Sequence, residues 1–132
     1  MGYKAKAEKE SSSTEVKYSM FIGRWQPLHK GHLWLINQRL KEGKKVWLAI
    51  RDVEPDEKNP WTAEEILDMV HEGELKDLIL DGRVMASIIP DIESINYGRG
   101  VGYDVIEHQP PKEIGDISAT SIRKQMKKDG KL

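Results

Sequence analysis

The sequence predicts an α/β domain built on a mostly parallel sheet. Three observations carry this expectation. Strand-like and helix-like segments alternate through the first half of the chain. Residues 45–50 (KVWLAI) form a nearly unbroken apolar run, the pattern of a strand buried on both faces. Between such runs, apolar residues recur at helical spacing, as with Leu33, Ile36 and Leu40. Parallel sheets of this kind bind ligands beyond the carboxyl ends of their strands, so the loops that leave the strands are where chemistry is sought.

Taken in order, residues 1–15 are polar, alternate Lys with Glu and contain Ser11, Ser12, Ser13 and Thr14 in a row. They read as a flexible tail before one domain over residues 16–132. Residues 16–23 (VKYSMFIG) read as the first strand and residues 23–30 (GRWQPLHK) as a tight loop, in which Pro27 lacks a donor and restricts Gln26. A helix follows over residues 31–41, ended by Gly43. After the second strand, residues 51–60 form a polar loop. Thr62 and Glu65 then make a capping box, with Trp61 and Ile66 as its hydrophobic staple, and open a helix that runs toward Leu80 with a break near Gly73. Residues 84–89 (VMASII) read as the third strand. Residues 94–97 and 104–108 read as two weaker strands around the glycine-rich turn 98–102, and residues 118–128 as a last helix capped by Ser118. The Trp residues read as core or staple positions, with Trp61 the best candidate for a stacking role.

Composition narrows the class. The chain has 132 residues, enough for one domain with its own core. It has no Cys, which removes disulfides and thiolate metal sites. Its 21 basic and 22 acidic residues leave a net charge of −1, which does not suit a bulk nucleic-acid partner. No apolar run reaches membrane-spanning length. A cytoplasmic protein with neither a membrane nor a nucleic-acid partner is expected.

The first chemical constellation is Gly23-Arg24-Trp25-Gln26-Pro27-Leu28-His29-Lys30-Gly31-His32. It leaves a buried strand and enters a helix, and the free N–H groups and positive dipole of a helix start suit phosphate. Gly31 leaves room for close approach, and His29 and His32, three apart, can face one anion. Two such His could instead be half of a metal site, but zinc needs three or four ligands and only His71 and His108 remain, so no metal ligand is assigned. The second constellation is Ile117-Ser118-Ala119-Thr120-Ser121-Ile122-Arg123, which crowds hydroxyls and a guanidinium at another helix start. Taken alone, it reads as an ordinary N-cap on a basic helix.

Together the two segments resemble the H-x-G-H and I-S-x-T-x-I-R signatures of the nucleotidyltransferase superfamily. The wider first segment is similar to archaeal-type nicotinamide mononucleotide adenylyltransferases, whereas glycerol-3-phosphate cytidylyltransferases usually carry Asp where Gln26 stands. In length the chain is closer to the cytidylyltransferases. The resemblance covers about residues 17–128. It implies a Rossmann-like, three-layer α/β domain that joins a nucleoside monophosphate from an NTP to a phosphorylated small molecule and releases pyrophosphate. It implies catalytic roles for His29, His32 and Arg123, and NTP contacts from Gly23, Arg24, Gly31, Ser118, Thr120 and Ser121. Mg²⁺ would arrive on the NTP phosphates, and self-association is expected.

The acceptor is implied less directly. Lys58, Trp61, Lys112 and Arg99 are candidates to meet it or to assist the phosphates, and each also reads as an ordinary loop or surface residue. Family adenylyltransferases often carry T-A-G-E-R where this chain has Thr62-Ala63-Glu64-Glu65-Ile66, so an expected Arg is missing. The turn 98–102 (GRGVG) has the wrong spacing for a dinucleotide fingerprint. Gln26-Pro27 tilts the expectation to AMP transfer from ATP, with nicotinamide mononucleotide as acceptor. The alternatives are CMP transfer from CTP to a polyol phosphate such as glycerol 3-phosphate, and a nucleotide-binding regulatory module without chemistry.

Overall fold

A computed structural model describes residues 17–132, so the tail expected over residues 1–15, and Val16, lie outside the described residues. The elements are β1 (Tyr18–Gly23), α1 (Lys30–Leu40), β2 (Lys45–Asp52), α2 (Ala63–Glu72), α3 (Lys76–Leu80), β3 (Val84–Pro90), α4 (Lys112–Gly115) and α5 (Ala119–Lys128). The strands form one parallel sheet in the order β1-β2-β3, flanked by helices. The expected α/β class is thus the observed one.

The register fixes the working edge. Gly23 pairs with Ile50, and Ile50 with Ile88, so the chain leaves all three strands at one side of the sheet. The loop before α1 and the loop before α2 therefore emerge next to each other.

The apolar run read as a doubly buried strand is the centre of the sheet. Val46, Leu48, Ala49 and Ile50 have no exposed surface. Val46, Leu48 and Ile50 alternate to the face that meets Ile36 and Leu40 of α1 and Ile66 and Val70 of α2. Each such side chain contributes on the order of 1.5–3 kcal/mol by leaving water. Tyr18, Met20 and Met85 alternate to the other face and stay about two-fifths exposed.

The helix ends follow local chemistry. The Thr62–Glu65 capping box forms as expected, and Trp61 packs on the cluster that contains Ile66. The break expected near Gly73 separates α2 from α3. A Cβ at Gly73 would stand 2.9 Å from the Met69 carbonyl oxygen, so glycine is required for that close approach.

One expectation is corrected. Residues 94–97 and 104–108 form no strand. Ile95, Tyr97 and Val105 are more than two-thirds exposed, and no strand ladder reaches either segment. Gly100 and Gly102 both take positive φ and turn the chain between the two segments. Residue types can suit a strand, but only a ladder makes one. A short helix, α4, also precedes α5. Among the described residues no helix is long and apolar enough to cross a membrane.

Candidate active site

The site begins where β1 ends. Trp25 holds a positive φ of 53°, rare for a residue with a side chain. Its burial offsets this: the indole is 7% exposed and donates from Nε1 to the Ala49 carbonyl at 3.0 Å. The ring covers Gly23, where a Cβ would stand 2.9 Å from it. Gly23 was expected to face phosphate. Its glycine is demanded by the indole.

His29 and His32 are the caps of α1. The N-cap His29 accepts from Gly31 N–H through Nδ1 at 3.1 Å, and His32 Nδ1 accepts from His29 N–H at 3.1 Å. This is a capping box in which two imidazoles take the places usual for Ser or Thr and Glu. Because each Nδ1 accepts, each neutral ring carries its proton on Nε2. Neither Nε2 has a protein partner among the described residues. The rings stack with centroids 3.6 Å apart and planes 22° apart, and Trp25 meets His32 edge-on at 4.7 Å. A Cβ on Gly31 would stand 2.9 Å from the His29 ring. The space expected for phosphate at Gly31 is therefore filled by the imidazole that caps the helix.

Electrostatics keep both rings neutral. Burial lowers the His29 pKa, and burial followed by the His29 charge lowers His32 to about 4. At neutral pH the pair is thus two hydrogen-bond donors in a row, not two cations.

Gln26 joins this loop to the next. Its side chain is buried, with Oε1 accepting from Trp61 N–H at 3.1 Å and Nε2 donating to the Trp61 carbonyl at 3.0 Å. Gln26 thus braces Trp61 with both ends of its amide. The loop between β2 and α2 is also shaped from within. Asp56 Oδ1 accepts from the backbone N–H groups of Lys58 and Asn59 and from Asn59 Nδ2, at 2.8–3.0 Å. These bonds, with Asn59 first, hold the Asp56 carboxyl below its ordinary range, and Arg24 adds its charge. Lys58 is exposed at the tip of this turn.

The second constellation arrives on α5. Ser118 is its N-cap and accepts from Ser121 N–H at 3.1 Å, and the Ser118 hydroxyl meets that of Ser121 at 3.0 Å. Arg123 donates from Nη1 to the Gln26 carbonyl at 2.6 Å and lies 3.4 Å from Thr120 Oγ1 through Nη2. This bond brings the last helix to the loop that ends in His29. Ser118, Thr120 and Ser121 are exposed, which leaves them open to solvent or a ligand.

The structure brings His29, His32, Gly31, Ser118, Thr120, Ser121 and Arg123 to the starts of α1 and α5, with Arg24, Lys58 and Trp61 on the two adjoining loops. Lys112 lies on α4, exposed and paired with Asp116 at 2.8 Å. Arg99 lies in the exposed turn 98–102 and meets none of these groups. The sequence reading missed Gln26 as a brace and the Asp56–Asn59 turn. Acid and amide three apart, before a proline, are the signal for the turn. A cavity of about 600 Å³ opens beside His29 between α1, α2 and α5, lined by Trp25, Leu33, Met69, Ile117 and Ile122 among others. Among the described residues no group of three or more His, Cys, Asp or Glu stands ready to hold a metal ion.

Residues 20–83 match the cytidylyltransferase-like family. A nicotinamide-nucleotide adenylyltransferase from Caldivirga maquilingensis is 35% identical over 57% of this chain and 43% of that protein. One from Thermococcus kodakarensis is 28% identical over 84% of this chain and 73% of that protein. Among solved structures, a bifunctional NMN adenylyltransferase/ADP ribose pyrophosphatase from Francisella tularensis is 35% identical, with a TM-score of 0.49, over 58% of this chain and 23% of that one. The chain spans less than half the length of the first curated relatives it matches, 43% and 29%. The family match over residues 20–83 and these sequence relatives make the chain similar to nucleotidyltransferases.

Proposed function

We propose that the chain transfers AMP from ATP to the phosphate of nicotinamide mononucleotide and releases pyrophosphate. The observation that carries this is the histidine cap. Both Nδ1 atoms are tied to backbone N–H groups, so two neutral Nε2–H donors at one helix start are left without a protein partner among the described residues, with Arg123 docked on the same loop. That set suits an anion whose charge grows during reaction. The adenylyltransferases among the sequence relatives supply the choice of nucleotide and acceptor.

In this reading an acceptor phosphate oxygen attacks the α-phosphorus in line. The bond from the α-phosphorus to the bridging oxygen breaks, and its electron pair leaves with pyrophosphate. Nε2–H of His29 and of His32 donate to the α- and β-phosphate oxygens and hold them more tightly as charge develops. Ser118, Thr120 and Arg123 receive the β- and γ-phosphates at the start of α5. Gly31 serves by letting His29 cap the helix, and Gly23 by seating Trp25. Arg24 and Lys58, on neighbouring loops, are offered to the acceptor phosphate, with Trp61 beside them. Lys112 and Arg99 are candidates for that role only if the ion pair of the first opens and the turn of the second closes over the site. Mg²⁺ enters as part of the nucleotide, held mainly by phosphate oxygens and water. The cavity beside His29 has the volume of a small-molecule site and takes a nucleoside.

The test is pyrophosphate release with each NTP against a panel of acceptors. ATP with nicotinamide mononucleotide is expected to give pyrophosphate and the dinucleotide. CTP with glycerol 3-phosphate as the productive pair would move the assignment to cytidylyl transfer. Nucleotide binding without turnover on any acceptor would make the chain a regulatory module and overturn the proposal.

A further inference from the structure

We propose that Gln26 is a positioning residue: its buried amide registers the acceptor-side loop against the triphosphate cradle, though it touches neither substrate. This rests on the reading of the site given above. Gln26 is 4% exposed. Its side chain makes two hydrogen bonds to the backbone of one residue, accepting from Trp61 N–H at 3.1 Å and donating to Trp61 C=O at 3.0 Å. That pattern needs a donor and an acceptor on one planar group at the end of two methylenes. Gln alone supplies it: Asn is too short, Glu lacks the donor and Met lacks both.

The position of this clasp gives it consequence. Trp61 lies three residues after Lys58, and the intervening turn is fixed by Asp56 and Asn59. Holding Trp61 therefore holds the Lys58 tip. Gln26 in turn stands three residues before His29, and its carbonyl receives Arg123 at 2.6 Å. One residue thus touches all three segments that must converge: the loop before α1, the loop before α2 and the start of α5. In-line transfer is sensitive to misplacement of about 1 Å, which can cost on the order of 10²-fold in rate. A brace of this kind acts on the alignment of two substrates and leaves the affinity of each site for its own phosphate largely intact.

Gln26→Met and Gln26→Glu test this. Three quantities are measured: the Kd for ATP without acceptor, kcat and KM for nicotinamide mononucleotide, and amide hydrogen exchange. With Gln26→Met, kcat/KM for the acceptor is expected to fall roughly 10²-fold while the ATP Kd stays within about threefold. With Gln26→Glu, activity relative to wild type is expected to recover as pH is lowered, because a protonated carboxyl donates again to the Trp61 carbonyl. Exchange at Trp61 and in residues 53–62 is expected to quicken while β2 stays protected. Equal losses in ATP affinity and acceptor kinetics, or no loss in either, would overturn the proposal. If wild type shows no turnover with any NTP, the proposed activity fails. Exchange then decides alone: quickening confined to residues 53–62 supports the brace, and uniform or absent quickening overturns it.

Discussion

The starts of α1 and α5 use the same device, a side chain that accepts from first-turn amides, yet they are secured in opposite ways. At α1 the caps are imidazoles, stacked on each other, edged by a buried indole and backed by a glycine that only their presence explains. At α5 the cap is one exposed serine, and a long-range hydrogen bond from Arg123 joins the helix to the rest of the site. The first start is fixed by packing before any ligand comes. The second is held by polar contacts that a ligand can add to. A triphosphate gripped between them would meet one rigid jaw and one adjustable jaw, and the rigid one carries the groups assigned to the bond that breaks.

Removing a tooth from the rigid jaw should do the most harm. His32→Ala is expected to lower kcat by roughly 10²–10³-fold while the ATP Kd changes only a few-fold, because its bond tightens as the transition state forms. Steady-state kinetics alongside a binding titration will show it. A large loss of affinity with unchanged kcat would mean that the two starts share the work otherwise than described.

Acid should act next, and on the same jaw. The folded rings titrate below their ordinary 6.5, His32 near 4. As pH falls from 6.5 toward 4, the unfolded chain takes up protons that the folded chain refuses, so stability is full above 6.5 and drops through that window. Thermal melts over that range are expected to show the drop. A His32→Gln variant should flatten it, and an unchanged slope would put the acid sensitivity elsewhere.

The smallest effect belongs to the adjustable jaw. Ser118→Ala is expected to cost about 1 kcal/mol of stability through the lost N-cap, read from a denaturant titration. If it costs as much as His32→Ala in both stability and turnover, the contrast between the two starts is lost.

What the sequence made legible is what periodicity and adjacency encode. Residues 45–50 announce a doubly buried strand because both faces are apolar. Thr62 and Glu65 announce a helix start because the capping bonds span three residues. His29 and His32 point to one face for the same reason. The reasons behind Gly23 and Gly31 were not legible, because the atoms that exclude a Cβ belong to side chains whose direction only the fold decides. Gln26 and Trp61 meet across 35 residues, and no local pattern reports such a pair. The two strands expected after β3 failed because short stretches with strand-compatible residues say nothing of a partner strand. Lys112 looked free for phosphate, yet its pairing with Asp116 four residues on is an ordinary helical spacing that was there to be read.

The bond from Arg123 to Gln26 closes a span of 97 residues. A ribosome delivers the three strands well before it delivers α5, and closing so long a loop is slow compared with forming local turns. The contact that would complete the proposed triphosphate cradle therefore forms after the strands that support it. In the proposed reading, nucleotide binding would therefore wait on the contact between α5 and the loop before α1.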